Sequence, residues 1–225
     1  MPEPRARMPI DAARLLVVTS PPLRDAVAQR LRARFPEAAL LVWTHGDRAG
    51  RAAVRNAVLA GDWRFCISVY SDYVFTREEI ARIGPIVNVH PAPPHLRGRG
   101  YDTLPLVRGD RRHGATLHFV DERIDAGPIV GVLSRPLAAG TRHRALRARN
   151  QRLSLAMFAW VLAGLASADL AAFLESLRRR ARAQPLRWHG ELLDSAGQAR
   201  LLRTLRERDP GHPALDGIDP ALIGG

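Results

Sequence analysis

Residues 64–91 read R-F-C-I-S-V-Y-S-D-Y-V-F-T-R-E-E-I-A-R-I-G-P-I-V-N-V-H-P. Arg64 to Val69 is a short, mostly apolar run, the form of a strand covered on both faces. Arg77 to Ile83 reads as a short helix, and Ile86 to Val89 as the next strand. The same rhythm precedes this unit. Leu15 to Thr19 is an apolar strand, after which Pro21 and Pro22 open a helical pattern of Leu23, Val27, Leu31 and Phe35. Ala39 to Trp43 reads as a strand and Arg51 to Leu59 as a helix. Strands that alternate with helices predict an α/β fold: a Rossmann-like, three-layer, mostly parallel sheet.

The stretch from His90 to Gly100 interrupts that rhythm with three prolines and two glycines. It must be a loop leaving the carboxyl end of a strand, where open α/β sheets usually bind ligands. A short helix is expected at Leu104 to Arg108. Strands at Ala115 to Val120 and Ile129 to Leu133 flank a turn containing Asp125-Ala126-Gly127. From Arg144 to Gly164 a long helix is expected to present Leu146, Leu153, Met157, Trp160 and Val161 on one face. Ser167 is placed as the cap of a following helix whose core stripe is Leu170, Phe173, Leu174 and Leu177. The basic run Arg178 to Arg182 ends that helix and suits its dipole. Pro185 to Gly225 is rich in Pro, Gly and Asp. The expected organisation is a catalytic domain over 10–180 with a helical C-terminal segment, followed by a short C-terminal extension over 181–225, without internal repeats.

The bulk composition bounds the function. A chain of 225 residues with 46% hydrophobic and 25% charged residues is that of a globular protein with one core. The single cysteine, Cys66, lies in an apolar run and reads as packing. No Cys/His cluster has metal-ligand spacing, so no metal is expected. The formal charge is +12, but every basic residue is arginine, acidic residues are interspersed, and no aromatics alternate with the arginines as base platforms would. Nucleic acid is therefore not the expected partner. Met1 to Asp11 carries no apolar segment of a secretory signal. Leu153 to Ala166 is too short to span a bilayer. A cytoplasmic protein without membrane contact is expected.

Two segments carry chemistry. In Asn88-Val89-His90-Pro91 the side chains of Asn88 and His90, two apart on a strand, share a face. An amide donor beside an imidazole suits acyl transfer: the amide can stabilise an oxyanion while the imidazole handles the proton of an attacking amine. The second segment, Gly114 to Gly127, reads G-A-T-L-H-F-V-D-E-R-I-D-A-G. A carboxylate at Asp125 could hydrogen-bond His90 and fix its orientation. Each segment alone also has ordinary structural explanations.

Together these segments resemble the folate-dependent formyltransferase family, which includes glycinamide ribonucleotide, methionyl-tRNA and sugar N-formyltransferases. The resemblance rests on N-V-H-P with its Pro-rich loop ending L-R-G, on G-A-T-L-H-F-V and on I-D-A-G-P-I-V, over roughly Cys66 to Pro136. It implies the formyltransferase fold, catalysis by Asn88, His90 and Asp125, and 10-formyltetrahydrofolate as formyl donor. Asn88 and protonated His90 would stabilise the tetrahedral intermediate, and Asp125 would orient His90 and assist proton transfer. His118 matches a family histidine and would support Asp125 or the formyl oxygen, or serve only in packing. The donor would lie between Tyr70-Ser71-Asp72-Tyr73-Val74 and Val120-Asp121-Glu122-Arg123-Ile124, gripped largely by backbone groups. Ser71 and Asp72 depart from the apolar-then-basic pair often found in the first loop.

The acceptor is narrowed by two departures. Where glycinamide ribonucleotide enzymes carry a phosphate-cradling Gly-Ser loop, this chain has Thr19-Ser20-Pro21-Pro22, and proline removes amide donors. The β-barrel domain of the methionyl-tRNA enzymes has no counterpart in the residues after the last predicted helix. A small-molecule or carrier-bound amine remains: an amino sugar, an amino acid or a specialised-metabolite precursor. Leu186-Arg187-Trp188-His189-Gly190 is loosely similar to a C-terminal stretch of some sugar N-formyltransferases. Arg97, Arg99 and Tyr101 are the expected acceptor-binding residues, since arginine there could bind phosphate or carboxylate. A homodimer is left open. The competing readings are a formyltetrahydrofolate hydrolase using the same trio and a non-catalytic binding protein on the same fold.

Overall fold

The structure, a computed structural model, describes residues 10–218. Strand β1 (Leu15–Thr19) leads through α1 (Arg24–Arg32) to β2 (Ala39–Val42), and α2 (Arg48–Ala60) returns to β3 (Phe65–Val69). Helix α3 (Arg77–Ile83) precedes β4 (Ile86–His90), which is followed by the two-residue β5 (Arg97–Gly98) and the short α4 (Leu104–Arg108). Then come β6 (Arg112–Phe119), β7 (Ile129–Pro136), α5 (His143–Ser167) and α6 (Leu170–Ala183). A second two-residue strand, β8 (Leu192–Leu193), leads into α7 (Ser195–Arg208). The reading of the N-terminal stretch falls on residues 1–9, outside the described residues, except for its last two positions.

The main sheet has six strands in the order β2-β1-β3-β4-β6-β7. The first four are parallel, and β6 runs antiparallel to both β4 and β7. β1 and β3 are buried along their whole length, which explains their unbroken apolar sequences. On one face Val17, Ile67, Val87 and Val89 pack against α1, α5 and α6 through Val27, Leu31, Phe158, Leu162 and Phe173. On the other, Leu16, Val18, Cys66 and Ile86 meet Val54, Val58 and Ile83 of α2 and α3. Each such buried side chain contributes about 1.5–3 kcal/mol. Cys66 is fully buried, and burial pushes its thiol far up, so it behaves as a small hydrophobe. Among the described residues no helix is long and apolar enough to cross a membrane.

Two local expectations need correction. The buried stripe of α5 runs through Leu146, Asn150, Ser154, Phe158, Val161, Leu162 and Leu165. Trp160 instead lies 43% exposed, with the Arg180 guanidinium 5.1 Å from its ring centroid. One residue in a helix is 100° of arc, enough to carry Trp160 from the sheet side to the flank. Nor does Ser167 cap α6: it is the last residue of α5, where its hydroxyl donates to the Ala163 carbonyl. Asp169 is the cap, accepting from the Ala172 amide at 2.8 Å.

Helix α3 opens with a capping box. The Thr76 hydroxyl accepts from the Glu79 amide at 3.3 Å, and a Glu79 carboxylate oxygen accepts from the Thr76 amide at 2.7 Å. The other Glu79 oxygen accepts from the Tyr73 hydroxyl, so a fully buried carboxylate ties the loop after β3 to this helix. Glu79→Ala removes both bonds and is expected to cost about 2 kcal/mol, since bonds to charged groups are worth about 1.5–3. For a chain of this size that lowers the melting temperature by roughly 4–8 °C. A thermal melt in which the variant matches the parent would show that the carboxylate contributes nothing net.

Candidate active site

The site is assembled first by strand register. Asn88 of β4 lies directly opposite His118 of β6, where facing side chains are within about 5.5 Å at Cβ. The Asn88 amide nitrogen is 3.1 Å from His118 Nε2, and His118 Nδ1 donates to the Phe119 carbonyl at 2.8 Å. In a neutral ring that leaves Nε2 to accept from Asn88, and only the charged ring carries a proton there toward Asp125. An amide nitrogen carries two hydrogens, so the second Asn88 N–H is left to face a ligand. The Asn88 carbonyl oxygen is buried and has no partner within the described residues.

Asp125 stands in the turn between β6 and β7 with φ at +44°, a left-handed conformation that, after glycine, asparagine and aspartate take most readily. One carboxylate oxygen is 3.3 Å from His90 Nδ1, and the other is 3.5 Å from His118 Nε2. The first oxygen also accepts from the Gly98 amide at 2.8 Å. His90 Nε2 donates to the Leu96 carbonyl at 2.7 Å. Asn88, His90, His118 and Asp125 therefore form one contiguous polar cluster at the carboxyl end of β4.

Burial sets the charges. It lowers His90 from its ordinary value, against the opposing pull of Asp125 and the Leu96 carbonyl, so the ring is neutral near pH 7. Burial also resists ionisation of Asp125, but the neighbouring His90 and His118 and the Gly98 amide outweigh it. They hold this carboxyl well below the usual carboxylate range. A neutral buried imidazole can take up a proton at Nδ1, and the ionised carboxylate facing that nitrogen stabilises the cation formed.

The cluster forms the floor of a cleft between residues 70–75 and 120–125. Every expected donor-loop residue lines it: Tyr70, Ser71, Asp72, Tyr73 and Val74 on one side, Val120, Asp121, Glu122, Arg123 and Ile124 on the other. Val74, Ile124 and Leu192 also line it while remaining 44%, 39% and 43% exposed. Three of the most exposed large apolar side chains thus share one opening. The first loop is braced from behind: Arg51 donates to the Val74 carbonyl at 3.0 Å and lies 4.8 Å from the Tyr73 ring centroid.

Of the expected acceptor residues, Arg99 and Tyr101 line the cleft and Arg97 does not. Arg97 donates from Nε to the Asp125 carbonyl at 2.9 Å and from Nη2 to the Ile124 carbonyl at 3.0 Å. Its fork is spent on clamping the turn that carries Asp125. Arg99 pairs with Asp72 at 3.0 Å and donates to the Gln198 side chain at 3.2 Å, linking the first loop to α7. Tyr101 packs edge-on against His90 and Tyr70, and burial pushes its hydroxyl well above the ordinary value.

Several contributors carry no readable sequence signal. His45, Leu193, Asp194 and Ser195 line the cleft with Leu192. β8 pairs in parallel with β5, placing Leu192 against Arg97 and Leu193 against Gly98. Trp188 packs edge-on against His118 at 4.9 Å and His90 at 5.8 Å, and its indole N–H donates to the Gly127 carbonyl at 2.7 Å. Among the described residues no group of three or more His, Cys, Asp or Glu side chains is arranged to hold a metal ion.

Residues 65–162 match the model of the formyl transferase family, and that stretch contains the whole polar cluster and both cleft loops. This segment, 98 of the 225 residues, is similar to the formyl transferase family. Phosphoribosylglycinamide formyltransferase from Escherichia coli (strain K12) is 31% identical over 88 residues, covering 39% of this chain and 42% of that protein. The corresponding Haemophilus influenzae protein is 33% identical over 86 residues, covering 38% and 37%. The matched stretch thus spans about two fifths of each relative. In fold, the chain resembles an N-formyltransferase from Helicobacter canadensis solved with folinic acid and dTDP-3-aminofucose (TM-score 0.56, 14% identity, 68% of this chain and 64% of that one). It also resembles a sugar N-formyltransferase from Shewanella sp FDAARGOS_354 (TM-score 0.53, 18% identity, 69% and 72%). Phosphoribosylglycinamide formyltransferase from Streptococcus pneumoniae TIGR4 aligns with TM-score 0.55 at 17% identity, over 68% and 98%.

Proposed function

We propose that this chain is an N-formyltransferase that moves a formyl group from 10-formyltetrahydrofolate to the amine of a small or carrier-bound acceptor. The observation that carries the reading is the Asn88–His118–Asp125–His90 cluster at the floor of an apolar-walled cleft. The exposed Val74 and Ile124 on facing loops, with Tyr73 behind, fit a flat aromatic ring. Those two loops would hold formyl-folate, which supplies the activated formyl group when bound.

The chain's own residues do the rest. The spare Asn88 N–H offers a donor where negative charge gathers on an acyl oxygen. Neutral His90 takes the proton of the attacking amine and returns it to the departing nitrogen. Asp125 stabilises the imidazolium in between. His118 fixes the Asn88 amide. The apolar loop side chains exclude water, which favours the amine over hydrolysis. Arg99 and Tyr101 face the acceptor, and a cytoplasmic setting goes with this reading.

An amino sugar linked to a nucleotide is the first acceptor to test, because a neighbour in fold was solved with dTDP-3-aminofucose. The Pro21–Leu23 turn supplies no amide at two of its positions and so argues against the phosphate cradle of the purine route. The test is calorimetric titration with a 10-formyltetrahydrofolate analogue, on the parent and on Asp125→Ala, followed by formylation assays on nucleotide amino sugars and free amino acids. Saturable donor binding with a formylated amine is the expected result. Formate release with no formylated amine would make the protein a hydrolase, and no donor binding at all would remove the reading.

A further inference from the structure

We propose that Trp188, delivered by the segment that follows α6, is a positioning residue that holds both imidazoles of the reaction centre in register from outside the lining of the cleft. This inference rests on the transferase reading. Trp188 lies outside the family-matched stretch and does not line the cleft. Its ring nevertheless meets His118 at 4.9 Å and His90 at 5.8 Å, at interplanar angles of 83° and 69°. One indole therefore packs, ring planes steeply inclined, against two histidines that come from different strands. With this cover His90 is 4% exposed and His118 2%.

The indole is itself fixed. Its N–H donates to the Gly127 carbonyl, two residues beyond Asp125. On its chain side the His189 amide donates to the Pro94 carbonyl at 3.2 Å. Gly190 has φ at +77°, and a Cβ there would stand 2.7 Å from the His95 carbonyl oxygen, so the segment crosses the loop after β4 in close contact. Two residues later β8 pairs with β5, whose Gly98 amide bonds Asp125. Trp188 thus touches or braces three of the four parts of the cluster: His90, His118 and the turn of Asp125.

The groups that face His90 are Asp125, His118, the Leu96 carbonyl and Tyr101, with Asp72 and His113 farther off. Trp188 packs an apolar ring against one further side of that imidazole. Opening that side admits water, which favours the charged ring and frees it to turn.

The test compares parent, Trp188→Phe and Trp188→Ala by three readouts: imidazole titration of His90 by nuclear magnetic resonance, donor-analogue affinity, and kcat with the formyl acceptor. For Trp188→Ala the His90 titration is expected to move up by about one unit, and kcat to fall about 10- to 100-fold. Donor affinity is expected to stay within about twofold, because the indole is not in the cleft. Trp188→Phe keeps the aromatic edge and is expected to recover most of kcat. An active parent whose Trp188→Ala variant keeps both kcat and the His90 titration overturns this inference and leaves the transferase reading standing. Equal losses in Phe and Ala, with donor affinity falling in step, would mean general loosening and also overturn it. A parent inactive with every donor and amine takes down the transferase reading, and this inference with it.

Discussion

Replacing His90 by alanine is expected to lower turnover about 10³-fold, within the 10²- to 10⁴-fold range of a lost general acid–base group. The fold should persist. The ring is buried, but it sits at the end of β4 among polar partners rather than in the apolar layers. Its loss unpairs the Leu96 carbonyl and one side of Asp125, a cost of about 1–3 kcal/mol that a domain of this size tolerates. Circular dichroism and a melting curve on the purified variant separate the two effects. Turnover lost with a melt displaced by only a few degrees supports the catalytic role, whereas a variant recovered only unfolded makes His90 a packing residue.

The second large effect concerns pH and a histidine outside the reaction. His113 of β6 is fully buried; its Nε2 donates to the Pro91 carbonyl at 3.2 Å, and its Nδ1 has no partner. Burial pulls it down to about 4, against the pull of the Pro91 carbonyl. Because the folded value lies below the unfolded one of about 6.5, the unfolded chain binds the proton first. No penalty exists above pH 6.5. Stability is then lost progressively as pH falls toward 4, by about 3 kcal/mol at 1.36 kcal/mol per unit. His90, shifted in the same direction by burial, adds to the loss. His113→Gln keeps a donor for the Pro91 carbonyl and does not titrate. Its urea midpoint should therefore fall less steeply than the parent's between pH 6.5 and 4.5, and parallel slopes would refute the assignment.

How much of this could be read from the sequence depended on the distance between partners. β1, β3 and β4 are short apolar runs whose burial on both faces is written in their composition. Asn88 and His90 stood out because two-residue spacing on a strand puts them on one side. Their link to Asp125 and His118 came from the order of motifs, and the register of β4 against β6 shows its physical basis. Arg97 was misplaced because an arginine in a loop gives no local sign of its target, here two carbonyls 27 and 28 residues away. Trp188 is less readable still: its segment has a loose family resemblance but no sign of its target, Gly127, 61 residues away. The face of α5 was resolved except at Trp160, whose position on the flank is decided by its stacking with Arg180 of the neighbouring helix.

The parallel pairing of β5 with β8 has a consequence for the order in which the protein is made. β5 belongs to the loop that anchors Asp125, yet its partner strand is synthesised about a hundred residues later. At about 5–20 residues per second that is a wait on the order of ten seconds. Partway through it, once β7 ends at Pro136, all six strands of the main sheet have been synthesised. The sheet is thus complete in sequence before the candidate site is, and the last part of that site to be made is the wall that includes Leu192 and Leu193.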